Sequence, residues 1–115
     1  MSSVSDRVVL VPAAALFGSL ADPTRLAIGR VLAGGPARVV DLTRELGLAQ
    51  STVSQHLACL RGCGLITAQA VGRSSVYTLA QPALTDLLAA AETVLAATGN
   101  AVALCPTYGT AREDS

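Results

Sequence analysis

The stretch Gln50-Ser-Thr-Val-Ser-Gln-His-Leu-Ala-Cys-Leu-Arg-Gly-Cys63 carries apolar residues at helical spacing. Val53, Leu57 and Leu60 stand at positions i, i+4 and i+7, which predicts a helix with these three side chains buried. The glycine that follows Cys63 is a natural stop, because glycine readily adopts the left-handed conformation that ends many helices. The polar residues of the stretch therefore lie on the opposite, exposed face.

Three helices are predicted before this stretch. The first follows Pro12, and the second begins at Pro23 behind Asp22, an N-cap residue followed by proline at the first helical position. Gly34-Gly35-Pro36 stops that second helix, since these residues can turn left-handed and then cannot continue. A third, short helix closes at Gly47, so two short helices flank this glycine.

The hydrophobic pattern changes after the helix of the quoted stretch. Residues 65–71 are alternating or continuously apolar, Gly72-Arg-Ser-Ser75 predicts a turn, and residues 76–79 are apolar again, which indicates a β-hairpin. Leu84, Leu88 and Leu95 then repeat at helix spacing after Pro82, which predicts a final amphipathic helix. The fold class is therefore mainly α with a small β-hairpin.

This order of elements is typical of the winged helix-turn-helix, in which the second helix of the pair enters the major groove of DNA. Glutamine can pair with the adenine edge, hydroxyls can bind bases or phosphates, and backbone amides at a helix start can hold phosphate. The alternative is that these polar residues only solvate an exposed face. The DNA-binding candidates are Gln50, Ser51, Thr52, Ser54 and Gln55 on the helix, and Arg73, Ser74 and Tyr77 on the hairpin.

Charge is balanced over the 115 residues but uneven along the chain. From Arg25 to Arg73 there are six arginines against two acids, Asp41 and Glu45, a net charge of +4. The middle of the chain is therefore the candidate surface for a polyanion such as double-stranded DNA.

The chain resembles the ArsR/SmtB family of winged-helix repressors over about residues 12–98. The resemblance rests on Ala21-Asp-Pro-Thr-Arg-Leu26, Ser51-Thr-Val-Ser-Gln-His-Leu57, Gly64-Leu-Ile66 and Gly72-Arg73. It implies a homodimer joined by the first and last helices, which represses an operon until an effector binds. Ala49 departs from the Ser or Thr that usually caps such a helix, and we expect Ser51 to cap it instead, one turn later.

Cys59 and Cys63 stand at i and i+4, so their Cβ atoms lie roughly 5–6 Å apart on one helix face. A free cysteine is often only a small buried hydrophobe, but here a pair at ligand spacing must be explained. A catalytic thiol paired with His56 is disfavoured, because Cys63 lies at the negative C-terminal end of the helix dipole, where a thiolate is not stabilised. A bound cation suits that end, and a Cys59–Cys63 disulfide would require local unwinding.

The third cysteine, Cys105, lies 42 residues beyond Cys63. Three thiolates without a required fourth ligand favour soft, large ions of low coordination number. Cys59-Leu-Arg-Gly-Cys63-Gly-Leu65 with a later cysteine resembles the cadmium- and lead-sensing branch of the ArsR/SmtB family. That resemblance implies that Cys59 and Cys63 of one protomer and Cys105 of the other bind Cd(II) or Pb(II), with Zn(II) as a further candidate.

We therefore expect residues 1–100 to form a DNA-binding and dimerisation domain, and residues 101–115 to form a tail that carries a metal ligand. The odd number of cysteines favours a reducing cytoplasm, and no membrane span is predicted because Asp86 and Glu92 interrupt the last long apolar region. The predicted function is a metal-responsive repressor and not an enzyme. The alternatives are a thiol redox or arsenite-responsive repressor and, in another class, a small thiol enzyme.

Overall fold

The computed structural model describes residues 4–100 and Leu104; Cys105 lies outside the described residues, so the predicted third ligand has no described position. The described elements, in chain order, are α1 (Val4–Val9), α2 (Val11–Ser19), α3 (Pro23–Ala33), β1 (Ala37–Arg38), α4 (Val39–Leu46), α5 (Gln50–Gly62), β2 (Ile66–Val71), β3 (Ser74–Leu79) and α6 (Ala83–Ala97). The mainly α fold with a small hairpin is confirmed. None of these helices is long and apolar enough to cross a membrane.

The core forms where α3, α4 and α5 meet the small sheet. Its largest fully buried side chains come from these three helices: Ile28, Leu42, Val53, Leu57 and Leu60. The last three are the predicted stripe of α5, and burying each such side chain stabilises the fold by roughly 1.5–3 kcal/mol. The position and rotation of α5 are therefore set by the core.

The start of α3 and the end of α5 form as their sequences predict. The Asp22 side chain accepts a hydrogen bond from the backbone N–H of Arg25 at 3.1 Å, as an N-cap does. At the end of α5, Gly64 has φ +77°, and the N–H of Leu65 donates to the carbonyl of Leu60 at 3.0 Å. This left-handed termination turns the chain directly from α5 into the sheet.

The sheet contains three antiparallel strands in the order β1-β3-β2. The predicted hairpin is confirmed, but its turn is tighter than expected: Val71 pairs with Ser74, which leaves only Gly72 and Arg73 between the strands. Gly72 has φ +62°, as the first residue of such a two-residue turn requires. Strand β1 was not predicted, because two residues, Ala37 and Arg38, are too short to show a strand period.

The ends of two helices differ from the sequence-based expectation. Helix α5 ends at Gly62, and Cys63 is its C-cap rather than its last helical residue. At the other end the expected cap by Ser51 is wrong: the helix begins at Gln50, Ala49 is the N-cap in an extended conformation, and no side chain caps it. Helix α1 was also not predicted.

The uncapped start of α5 yields a stability prediction. Ala49 already has φ −66° and ψ 149°, so a serine there can accept a backbone N–H without rearrangement. We expect Ala49→Ser to raise the free energy of unfolding by about 1 kcal/mol. Denaturant unfolding at one fixed protein concentration measures it.

Ala58→Ser is the matched control, because it adds the same hydroxyl to the exposed interior of α5. Serine is a weaker helix former than alanine, so this variant should be slightly less stable than the parent. Equal effects of the two substitutions would contradict the capping argument.

Candidate DNA-binding surface and thiol pair

One face of α5 is turned to solvent. Gln50, Ser51, Ser54 and Gln55 are exposed, and Thr52 is half-buried beside the apolar stripe. Four of the five helix residues predicted to face DNA therefore share an open surface, with Thr52 at its edge. This exposed surface carries hydroxyl and amide groups, which can bind base edges and phosphates.

The N-terminus of α5 leaves backbone donors available. Because Ala49 provides no side-chain acceptor, the first N–H groups of the helix receive no cap from it. Such groups, together with the positive end of the helix dipole, are suited to hold a phosphate. Ala49 leaves α5 without a side-chain cap, but the same lack of a cap keeps the N-terminal N–H groups of α5 available for a DNA phosphate.

The hairpin presents one arginine at its tip. Arg73 is an exposed turn residue, and Ser74 follows it at the start of β3, half-buried. Tyr77 is placed differently: it lies in the central strand, opposite Ala37 and Ala68, and packs against the hydrophobic core. The structure brings Arg73 and Ser74 to the tip but not Tyr77.

The arginines of the basic middle segment differ in their surroundings. Arg38 and Arg44 lie 3.3 and 3.7 Å from the Asp41 carboxylate, which offsets part of their positive charge. The Arg38 backbone N–H, which donates to Asp41, and then the Arg38 guanidinium lower the pKa of that carboxyl below its ordinary value. Arg61 on α5 and Arg73 on the hairpin are exposed and can face a phosphate.

The two cysteines of α5 lie at its C-terminal end. Both are free thiols; Cys59 is half-buried and Cys63 is exposed. Within residues 4–100 and Leu104, no three His, Cys, Asp or Glu side chains are grouped so as to hold a metal. A thiol site based on this pair therefore needs a ligand from beyond the described residues or from a second copy of the chain.

A serine from a distant helix contacts Cys63. The Ser19 Oγ atom, at the end of α2, lies 2.9 Å from the Cys63 Sγ atom and 3.0 Å from the carbonyl oxygen of Ala15. Ser19 is 7% exposed. The sequence analysis missed this contact, because nothing in the local pattern of either residue indicates a pairing across 44 positions.

His56 contacts the start of α3 rather than acting as a base in a described thiol pair. Its Nδ1 atom accepts a hydrogen bond from Arg25 Nε at 3.1 Å and lies 3.8 Å from an Asp22 oxygen. Arg25 also donates to the backbone carbonyl of Ser19 at 3.4 Å. The junction of α2 and α3 is thus hydrogen-bonded to α5 at His56 and at Cys63.

A helix pair joined at Gly47, with one face of the second helix exposed and an arginine-tipped hairpin after it, defines a winged helix-turn-helix DNA-binding domain. Residues 22–68 match the family described as "Bacterial regulatory protein, arsR family". The chain is 38% identical over 87 residues to the transcriptional regulator NmtR of Mycobacterium tuberculosis, covering 76% of this chain and 72% of NmtR. It belongs to the arsR family.

A second relative is similar over about two thirds of this chain. The transcriptional regulator CmtR of Mycobacterium tuberculosis is 47% identical over 75 residues, which is 65% of this chain. The match spans 64% of the length of CmtR, slightly less than two thirds. Both relatives are named as transcriptional regulators, which agrees with the prediction that the chain is not an enzyme.

Two solved structures extend the comparison. The NMR structure of "the cadmium metal-sensor CMTR from Mycobacterium tuberculosis" is similar with a TM-score of 0.58 and 45% identity, covering 67% of this chain and 80% of that one. The homodimeric winged helix-turn-helix DNA-binding domain of Mb0332 from Mycobacterium bovis has a TM-score of 0.71 and 28% identity, with 82% and 87% covered. The winged-helix prediction is confirmed.

The exposed tip arginine yields a prediction for DNA binding. If Arg73 contacts a phosphate, Arg73→Ala should weaken binding to all duplexes alike and reduce the slope of log affinity against log salt by about 1. Arg7→Ala removes the same charge from α1 and serves as the control. Fluorescence anisotropy with labelled duplexes over a series of salt concentrations measures both, and an unchanged slope for Arg73→Ala would exclude the hairpin tip from the interface.

Proposed function

We propose that the chain is a metal-responsive transcriptional repressor, which binds operator DNA as a homodimer in the metal-free form and releases it when Cd(II) or Pb(II) binds. The proposed ligands are Cys59, Cys63 and Cys105. The observation that carries the proposal is the position of two free thiols at the end of the helix whose exposed face is suited to DNA. Helix α5 thus carries both the proposed metal site and the surface proposed to bind DNA.

The chemistry of the thiol pair suits a soft cation. Thiolates prefer soft ions, and a bound cation is compatible with the negative C-terminal end of a helix, where an isolated thiolate is not. Cys63 is exposed and Cys59 half-buried, so an ion can reach both from solvent. The similarity to a protein titled as a cadmium sensor supports Cd(II), and Zn(II) is a further candidate.

The position of Leu104 supports a ligand from the predicted tail, residues 101–115. Leu104 is buried, and its backbone N–H donates to the carboxylate of Glu92 on α6. It also lines a depression beside Pro23 and Leu26 of α3. Leu104, the residue directly before Cys105, is therefore held against α3 and α6, which favours a role for Cys105 in the protein.

The apolar surface of α2 and α6 supports a homodimer. Phe17 and Val94 are 58% and 62% exposed, and they line an apolar groove of about 500 Å³ together with Leu20, Leu87 and Leu95. A second copy of the chain would cover both, in agreement with the expected contact through the first and last helices. The homodimeric state of the similar Mb0332 domain also supports this arrangement.

Release follows if metal binding restrains the end of α5. An ion held by Cys59, Cys63 and Cys105 would connect the tail to α5, the proposed recognition helix. It would thereby hold α5 and the dimer in a conformation that fits the operator poorly. Allosteric coupling energies of about 1–3 kcal/mol weaken binding by roughly 5- to 150-fold. A coupling of this size between the thiol site and the DNA surface would relieve repression.

The dimer surface can be tested with a single charge. Phe17→Asp should convert the dimer to a monomer, because a carboxylate buried in an apolar interface is strongly unfavourable. Val71→Asp is the matched control, since Val71 on the hairpin is exposed to a similar extent, 55%. Sedimentation equilibrium measures the change; a dimeric Phe17→Asp variant would contradict the proposed interface.

The ligand set can be tested by titrating the full chain with Cd(II). We expect a thiolate-to-metal absorbance band that saturates at one ion per chain and weakens in each of Cys59→Ser, Cys63→Ser and Cys105→Ser. In Cys105→Ser, metal-driven release from DNA should be lost while DNA affinity of the metal-free protein is unchanged, because Cys105 is not on the DNA-facing helix.

Two outcomes would contradict this assignment. Release that persists in Cys105→Ser would exclude the tail as a ligand. Absence of any band in the parent chain would exclude the Cd(II) site and favour a repressor whose thiols respond to oxidation or arsenite. A small thiol enzyme would instead show turnover dependent on His56. Parallel titrations with Pb(II) and Zn(II) rank the three ions by their affinity for the protein.

A further inference from the structure

The Ser19 hydroxyl lies between two partners, and one of them is the proposed metal ligand Cys63. The Ser19 hydroxyl has one proton and lies within hydrogen-bond distance of two partners, the Ala15 carbonyl oxygen at 3.0 Å and the Cys63 sulfur at 2.9 Å. The carbonyl oxygen can only accept, so the hydroxyl donates to it. In the metal-free protein the Cys63 thiol then donates its own proton to the Ser19 oxygen.

Metal binding changes this pattern. A cysteine that binds a metal does so as a thiolate, which has no proton to donate. The contact between the two side chains persists only if the Ser19 hydroxyl rotates and donates to the sulfur. The rotation leaves the Ala15 carbonyl with a partner, because in an α-helix that carbonyl also accepts the backbone N–H of residue i+4, here Ser19.

We propose that Ser19 is a positioning residue of the metal site, because its hydroxyl donates a hydrogen bond to the metal-bound Cys63 sulfur. Through this hydrogen bond, metal binding at the end of α5 is coupled to the position of α2. This inference rests on the proposed thiol site. Groups that hydrogen-bond to metal ligands orient them, and their loss typically lowers metal affinity by about 10- to 100-fold. Ser19 is suited to this task because it is buried and its Cα is fixed in a helix.

The surroundings of Ser19 extend the connection in two directions. Its backbone carbonyl accepts from Arg25, which donates to His56 nearly two turns before Cys63 on the same recognition helix. On the other side, α2 carries Phe17, which lines the apolar groove proposed for the second copy. Ser19, the last residue of the proposed dimer helix α2, thus contacts Cys63 at the end of α5 and also Arg25, which in turn donates to His56.

The test is Cd(II) affinity of the full-length Ser19→Ala variant, measured by competition with a chelator while the thiolate-to-metal band is followed. We expect the affinity to fall by about tenfold, whereas the band at saturation keeps its parent intensity because all thiolates still bind. Ser19→Thr keeps a hydroxyl and should recover most of the affinity. Thermal unfolding of the metal-free variants reports on folding separately.

Thr93→Ala is the matched control. The Thr93 hydroxyl donates to the carbonyl of Ala89, four residues earlier in its helix, as Ser19 does, but on an exposed part of α6. Parent-like affinity in Thr93→Ala together with the loss in Ser19→Ala supports the inference. If the parent chain shows a normal band and Ser19→Ala keeps parent-like affinity, the role of Ser19 is overturned while the proposed thiol site is retained. If the parent chain shows no band, the thiol site and the role of Ser19 are both overturned.

Discussion

The burial of Val53, Leu57 and Leu60 is the constraint on which the rest of this domain depends. These side chains are at most 2% exposed and pack α5 against α3, α4 and the sheet. Once that stripe is buried, the helical period turns Ser51, Ser54 and Gln55 outward and leaves the two cysteines on the flank near the C-terminus. The positions of the exposed polar surface proposed to contact DNA and of the thiol pair therefore both follow from the burial of this stripe.

A few residues at the end of α5 have several structural roles. Cys63 is the C-cap, Gly64 turns left-handed, and β2 begins at Ile66. An ion bound at Cys63 would thus lie at the joint between the recognition helix and the hairpin, with α2 reached through Ser19. The core holds α5 as far as Leu60, whereas Cys63 is held by the hydrogen bond of its backbone N–H to the Cys59 carbonyl and by its contact with Ser19. These contacts are easier to alter than a buried apolar stripe.

Much of this arrangement could be predicted from sequence, because helix periodicity, Asp22-Pro23, Gly47 and Gly64 are local signals. Strand β1 could not, since two residues have no period, and the cap expected at Ser51 was wrong because helix α5 begins without a side-chain cap. Tyr77 was assigned to DNA from its place on the hairpin, whereas its packing against the core depends on the register of β3. The contact of Ser19 with Cys63 depends on the tertiary packing of α2, which no local pattern encodes.

Metal and DNA are proposed to bind at opposite ends of one helix, α5, so that each weakens the binding of the other. Linkage requires that if Cd(II) weakens DNA binding by some factor, DNA weakens Cd(II) binding by the same factor. The direct measurement is the Cd(II) affinity of the full chain, free and saturated with a duplex selected by the protein from a random library. An affinity lower in the DNA complex, by the factor seen in release, is the predicted result; equal affinities in the two states would contradict it.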